Sequence, residues 1–291
     1  MHYNQLVKVM FNINNKNIII TGATSGIGKS AAINLAAKGA NIFFIARDKV
    51  KAKNLIKEIF DETNKEAVAI IADLSSLEEI KYAADKFKSF NKPLHVLLNN
   101  AGLINNSRKE TVDGYEEVFA INHLAYFYLT YLLLDKLKID TPSRVINVSS
   151  GAHAFVKGFD FDDVQARENY KPFQVYGNSK LANILFTKKL SSILEQENIT
   201  VNCLHPGVVG TSFGQNNGKF QKLLFYIAKP FMRTSEKGAE TSIYLCSSPD
   251  VSNITGQYFY NCSIAKTTKW AQSKEDADRL WDLSKELTGI T

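Results

Sequence analysis

Tyr176 and Lys180, four residues apart in Tyr176-Gly177-Asn178-Ser179-Lys180, form a pair suited to moving a proton. Residues at i and i+4 lie on one face of a helix, which sets the ammonium beside the phenol. A tyrosine with an ordinary pKa near 10 is a weak acid–base catalyst at neutral pH. A neighbouring cation stabilises the phenolate and lowers that value. The spacing also arises by chance, and a helical tyrosine is often plain packing. Two hydroxyls, Ser149 and Ser150, end the preceding expected strand, and that coincidence gives the pair weight.

A second cluster lies near the start of the chain. Thr21-Gly22-Ala23-Thr24-Ser25-Gly26-Ile27-Gly28 follows one apolar run and opens an amphipathic one. Glycines there allow a tight turn, and backbone N–H groups can then approach a pyrophosphate at the positive end of a helix. The spacing is Gly-x3-Gly-x-Gly, and glycines also simply make turns. The position between strand and helix is what gives the turn weight. The next strand ends in Ile45-Ala46-Arg47-Asp48. Ala46 stands where an acid would hold the ribose hydroxyls of NAD, and Arg47 follows it. Arginine pairs with a 2′-phosphate, so the charge favours NADP(H) over NAD(H). Asp48, one position on, reads as the cap of the following helix. Asp73-Leu74 and Asn99-Asn100-Ala101-Gly102 end the third and fourth strands, where Asp73 could accept from an adenine amine. Its plain alternative, shared with Ser75 and Ser76, is a helix cap.

The elements that must position these groups alternate along the chain. Strands are expected at Asn17–Thr21, Asn41–Ala46, Ala67–Ala72, His95–Asn99, Arg144–Ser149, Thr200–Leu204 and Gln257–Tyr260. Helical periodicity covers Gly28–Lys38, Lys49–Phe60, Leu77–Phe90, Val112–Leu137, Val175–Leu194 and Ser235–Cys246. Such alternation implies βαβ crossovers and an α/β, doubly wound parallel sheet with helices on both faces. Ile18-Ile19-Ile20 and Val96-Leu97-Leu98 are apolar throughout, as strands buried on both faces are. With no linker or repeat to divide it, the chain of 291 residues reads as a single domain. Two segments, about 151–173 and 208–234, leave from the carboxyl edge of the sheet, and there they would wall a substrate pocket.

Composition narrows the alternatives. With 45% apolar residues the chain can bury a large core, and its three cysteines form no CxxC pair, as reduced thiols in a cytoplasmic protein would not. A net charge of +6 is spread over lysines beside acids, without the basic stripe of a nucleic-acid binder. No apolar run reaches the roughly 18 residues of a membrane span, and no His/Cys/Asp cluster has metal spacing. Leu223–Phe231, with the basic residues Lys219, Lys222, Lys229 and Arg233 in and around it, could rest on a membrane surface, although a pocket lid is the simpler reading. His153 and His205 are read as structural. The aromatics Tyr126-Phe127-Tyr128 and Tyr131 could serve the core or a homodimer interface.

In sum of motifs the sequence resembles the short-chain dehydrogenase/reductase family over nearly its whole length. TGATSGIG (21–28), DL (73–74), NNAG (99–102), Asn122, NVSS (147–150), YGNSK (176–180) and HPGVVGT (205–211) occur in the family's order. INHLAYFYLT (121–130) and SKLANILFT (179–187) look most like the retinol-dehydrogenase-like branch. That branch also carries a long insertion like the 25 residues between Ser150 and Tyr176.

The resemblance implies roles. Tyr176 would be the general acid or base, Lys180 its pKa modulator and ribose ligand, Ser150 the polariser of the carbonyl, and Asn122 the holder of a relay water. Gly22, Thr24, Ser25, Gly26, Ile27 and Gly28 would cradle the pyrophosphate. Arg47 would meet the 2′-phosphate, Asp73 and Leu74 the adenine, and Asn100, Ala101 and Gly102 the adenosine ribose. Pro206, Gly207, Val209 and Thr211 would lie against the nicotinamide. The implied activity is NADP(H)-dependent hydride transfer to or from an apolar aldehyde, ketone or alcohol, retinoid-, steroid- or lipid-like. A non-catalytic cofactor-sensing protein and a reductase of a cyclic C=C bond are the alternatives.

Overall fold

A computed structural model describes residues 11–209 and 233–290. Eight strands form one sheet in the order β3-β2-β1-β4-β5-β6-β7-β8. They are β1 (Asn17–Thr21), β2 (Asn41–Ala46), β3 (Val68–Ile71), β4 (Val96–Asn99), β5 (Ser143–Val148), β6 (Ile199–His205), β7 (Tyr258–Tyr260) and β8 (Ser263–Ile264). All neighbours from β3 to β7 run parallel; β8 turns back antiparallel on β7.

Alternation along each strand divides the core in two. Ile18, Ile20, Phe44 and Leu98 face α1 (Gly26–Ala37), α2 (Lys49–Thr63) and the helix Ser235–Ser247. Ile19, Phe43, Leu97 and Val145 face α3 (Leu77–Ser89), α5 (Ala125–Leu132) and α7 (Pro172–Ile193). Sequence order reverses between β1 and β4, so their carboxyl ends, Thr21 and Asn99, open the crevice where such sheets take ligands.

Three features depart from the sequence expectation. The helix expected over Val112–Leu137 begins only at α4 (Glu117–Phe119). It passes through a π turn, Ala120–Leu124, before α5 and the short α6 (Leu134–Leu137). Glu116 starts it, its carboxylate accepting from Val118 and Phe119 N–H at 3.0 and 2.7 Å. The two-residue β8 and a C-terminal helix, Lys274–Thr288, are additional elements. That helix is capped by Ser273, which accepts from Asp276 N–H, and ends at Gly289 with φ +68°. Of the cysteines, Cys203 and Cys246 are buried but Cys262 only partly. No helix among the described residues is long and apolar enough to cross a membrane.

Candidate active site

The glycine turn joins β1 to α1. Gly22 has φ +65°, and a Cβ there would stand 2.7 Å from Ala101 Cα. A Cβ on Gly28 would meet Gly22 O at 2.3 Å and Asn100 Nδ2 at 2.4 Å. Only glycine fits either place. Asn100 pins the turn, its amide donating to Thr21 O at 2.9 Å and Gly22 O at 3.2 Å. Thr21 Oγ1 in return accepts the N–H groups of Asn100 and Ala101 at 2.9 and 3.0 Å. Ser25 stands at the N-cap of α1 without capping it by its side chain. Bare helical N–H groups beside a glycine cradle fit a pyrophosphate. Thr24, Ser25, Gly26 and Ile27 complete this turn, Ile27 packing toward Gly238.

At the end of β2, Asp48 caps α2, accepting from Val50 N–H at 2.9 Å and Lys51 N–H at 3.0 Å. Arg47 is exposed at the strand's carboxyl end and enters no ion pair among the described residues. Asp73 accepts from Ser75 N–H at 2.9 Å, while Ser76 caps α3. Leu74 packs on the adjoining core.

Tyr176 and Lys180 lie in α7, one turn apart, with Lys180 Nζ 5.7 Å from the Tyr176 ring centre. The Tyr176 phenol faces Ser150, which is near enough to pull its pKa down, follows β5 directly and accepts from Ala152 N–H at 3.2 Å. Ser149 is turned away, donating to Lys180 O at 2.7 Å. Lys180 is 3% exposed and donates to the Val148 carbonyl at 3.0 Å. Asn122 sits in the π turn, not in a regular helix. Its Oδ1 accepts from Leu103 N–H at 2.8 Å; its Nδ2 donates to Leu103 O at 3.0 Å and Ser179 Oγ at 2.9 Å. A Cβ added to Gly102 would reach Asn122 Oδ1 at 3.2 Å and Lys180 Nζ at 3.4 Å, so three separate motifs meet there.

Electrostatics modify the sequence expectation. Burial pushes the Tyr176 phenol up to about 12, with the Ser150 hydroxyl pulling the other way. Burial also brings the Lys180 ammonium down to about 7. Desolvation, which disfavours the charged form of either group, here outweighs the simple picture of a lysine lowering a tyrosine. At neutral pH Tyr176 is therefore a neutral acid poised on Ser150.

The sequence pattern of short chain dehydrogenases matches residues 16–222. This chain belongs to the short-chain dehydrogenase family. Retinol dehydrogenase 12 of Mus musculus is 39% identical over 276 residues, spanning 94% of this chain and 87% of that protein. The fold of this short-chain dehydrogenase matches an uncharacterised protein of Mycobacterium paratuberculosis with a TM-score of 0.78 and 27% identity, covering 97% and 96% of the two chains. It also matches a blue fluorescent protein from a metagenomic library, solved in complex with NADPH, at TM-score 0.68 and 26% identity, covering 85% and 96%. By its relatives the dehydrogenase is retinol-dehydrogenase-like.

The remaining motif of the dehydrogenase frames the far side of the crevice. Pro206 and Gly207 follow β6, and a Cβ on Gly207 (φ +88°) would strike Arg233 at 2.7 Å. Val209 pairs with Arg233 through a parallel bridge, while Thr211 and Leu223–Phe231 lie outside the described residues. His153 Nδ1 bonds the Ser150 carbonyl at 2.7 Å, and His205 stacks on Tyr260. Three residues at the site went unassigned from sequence. Thr21 locks the turn, Ser179 receives Asn122, and Tyr126 donates its hydroxyl to Ala101 O at 2.6 Å. Only Thr21 carried a signal, as a hydroxyl residue ending the first strand. Phe127 packs edge-on against Trp281 of the C-terminal helix at 5.0 Å, so this aromatic serves the chain's own core.

Proposed function

We propose that this short-chain dehydrogenase transfers a hydride between NADP(H) and the carbonyl or alcohol carbon of an apolar aldehyde, ketone or alcohol. The observation that carries the reading is the convergence of Tyr176, Ser150 and Lys180: Lys180 Nζ lies 5.7 Å from the Tyr176 ring centre, and the Ser150 hydroxyl faces the phenol. Gly22–Gly28, Asn100–Gly102 and Pro206–Val209 would hold the dinucleotide, whose nicotinamide would supply or accept the hydride. In reduction the neutral Tyr176 hydroxyl gives its proton to the substrate oxygen as that oxygen gains charge. Oxidation reverses the transfer. Ser150 holds the same oxygen by its hydroxyl and so sets the distance to Tyr176. Lys180 stabilises the phenolate that Tyr176 becomes, and Asn122 holds the water through which Lys180 exchanges protons with solvent. General acid–base help of this kind contributes ~10²–10⁴ in rate.

NADP(H) over NAD(H) is supported by the exposed Arg47 and by Asp48, whose carboxylate is already committed to capping α2. NADPH in the metagenomic structural relative points the same way. An apolar substrate is supported by the side chains grouped with Tyr176: Leu103, Val118, Tyr170 and Val175 form one hydrophobic cluster with it. Tyr170 comes from the segment between Ser150 and Tyr176, and its hydroxyl donates to Asn105 O at 3.2 Å, which fixes that wall. The retinoid class follows from the name of the mouse relative.

The test is turnover of purified protein with NADPH and a series of aliphatic, polyene and steroid carbonyls. Wild type should consume NADPH. Tyr176→Phe should lose ~10²–10⁴ of kcat while still binding NADPH. Full turnover in Tyr176→Phe would sink the mechanism, and a wild type that binds NADPH without turnover would make the chain a cofactor-binding protein.

A further inference from the structure

The C-terminal helix, Lys274–Thr288, meets the catalytic region at one buried polar point. Ser284 Oγ lies 2.9 Å from His123 Nε2, and both residues are 0% exposed. His123 belongs to the π turn and directly follows Asn122. The rings of Phe119 and Phe186 flank it with centres at 5.3 and 6.0 Å. Burial brings the imidazole down to about 3, so it is neutral and offers one donor and one acceptor.

Neither His123 Nδ1 nor Asn183 Oδ1 has a hydrogen-bond partner among the described residues, so Ser284 is the polar contact that holds the imidazole. Ser284 Oγ itself also donates to Leu280 O at 2.7 Å, which ties this contact to the C-terminal helix backbone. A π turn is rarer than regular helix and persists where surrounding contacts hold it.

We propose that Ser284 and His123 are positioning residues: through their contact the C-terminal helix holds the π turn and with it Asn122, the residue that His123 directly follows. The proposal rests on the catalytic reading of Tyr176 and Lys180 above. It makes a helix remote in sequence from every catalytic motif part of the geometry of proton transfer.

The test is a double-mutant cycle with Ser284→Ala and His123→Leu, read by kinetics and by amide exchange. Each single variant should lose about tenfold in kcat with little change in KM for NADPH, and the double variant should lose no more, because either change breaks the same link. Thr288→Val removes a neighbouring buried hydroxyl that bonds Ser284 O at 2.6 Å but does not touch His123. It should leave kcat unchanged. Exchange of the Leu103 amide, which donates to Asn122 Oδ1, should quicken in both clamp variants and not in Thr288→Val. That readout needs no turnover, so it stands or falls apart from the hydride chemistry. Losses that multiply to about a hundredfold in the double variant would overturn the clamp, as additivity means independent sites. An unchanged Leu103 amide, or an equal rise in exchange across every core strand, would overturn it too.

Discussion

Ser149 donates its hydroxyl to the carbonyl of Lys180 at 2.7 Å, so the first of two adjacent serines is spent on the scaffold while the second faces Tyr176. Successive side chains at a strand end point to opposite sides, and this alternation separates two residues of identical chemistry. Ser150→Ala should therefore lower kcat by ~10²–10³, the range seen when one donor to a developing oxyanion is removed. Ser149→Ala should keep kcat within about tenfold and instead cost about 1 kcal/mol of stability, the worth of an ordinary hydrogen bond. Steady-state kinetics beside urea unfolding of both variants checks the division. Equal kinetic losses would place both hydroxyls at the substrate.

Arg47 and Asp48 make a second such pair, one exposed and uncommitted, the other tied to Val50 and Lys51 N–H. If Arg47 meets a 2′-phosphate, Arg47→Ala should weaken NADPH binding about 10- to 100-fold, the worth of a charge-assisted contact of ~1.5–3 kcal/mol. NADH binding should barely change. Asp48→Ala should lower the melting temperature through loss of the cap of α2 and leave the NADPH/NADH ratio alone. Calorimetric titration of both nucleotides into both variants decides it. A gain in NADPH preference from Asp48→Ala would show that the acid belongs to the cofactor site.

How far the site was legible depended on whether its residues advertise themselves locally. The positions of the strands followed from apolar runs such as Ile18-Ile19-Ile20, and β1 and β2 have the expected bounds. Tyr176 and Lys180 were legible because four residues within one helix fix their relation. Asn122 was named from the family pattern, but the π turn in which it sits was not legible, since one extra residue per turn leaves no trace in an apolar pattern like Ile121–Leu132. Tyr126 reads as core, and its bond to Ala101 O depends on a contact 25 residues away. The C-terminal helix did carry signals, Ser273 before an amphipathic run and Gly289 after it. Its link to His123 spans 161 residues, and no local pattern reports that.

Gly28 is where the glycine turn has least room. An alanine methyl would stand 2.3 Å from Gly22 O and 2.4 Å from Asn100 Nδ2, and the first of these is backbone in a turn pinned by Thr21 and Asn100. Either the turn opens or the Asn100 bonds to Thr21 O and Gly22 O break. Gly28→Ala should cost roughly 1–3 kcal/mol, the usual penalty for overpacking. It should also weaken both nucleotides alike, since the turn would hold what NADPH and NADH share. Unfolding curves together with titrations of the two cofactors test this. Selective loss of NADPH alone would mean that the turn recognises the 2′-phosphate end.

Acid should destabilise the fold through its buried histidines. Burial holds His123 down to about 3 and, with help from Arg233 and His153, His205 down to about 4; His95 and His153 are lowered as well. Unfolded, each returns to about 6.5. Between those values the unfolded chain binds more protons, so stability rises with pH across the window. These contributions are fully present above about pH 6.5 and are lost as pH falls toward 4 and then 3. Asp140, lowered by His95 and Lys16, acts in the same direction, whereas the buried Glu116 carboxyl is raised and offsets part of the loss. Each histidine can contribute a slope of up to about 1.4 kcal/mol per pH unit. The urea midpoint should fall steadily from pH 7 to pH 4, and His123→Leu should flatten that limb without steepening it at neutral pH. A variant with the wild-type slope would place the acid sensitivity on other groups.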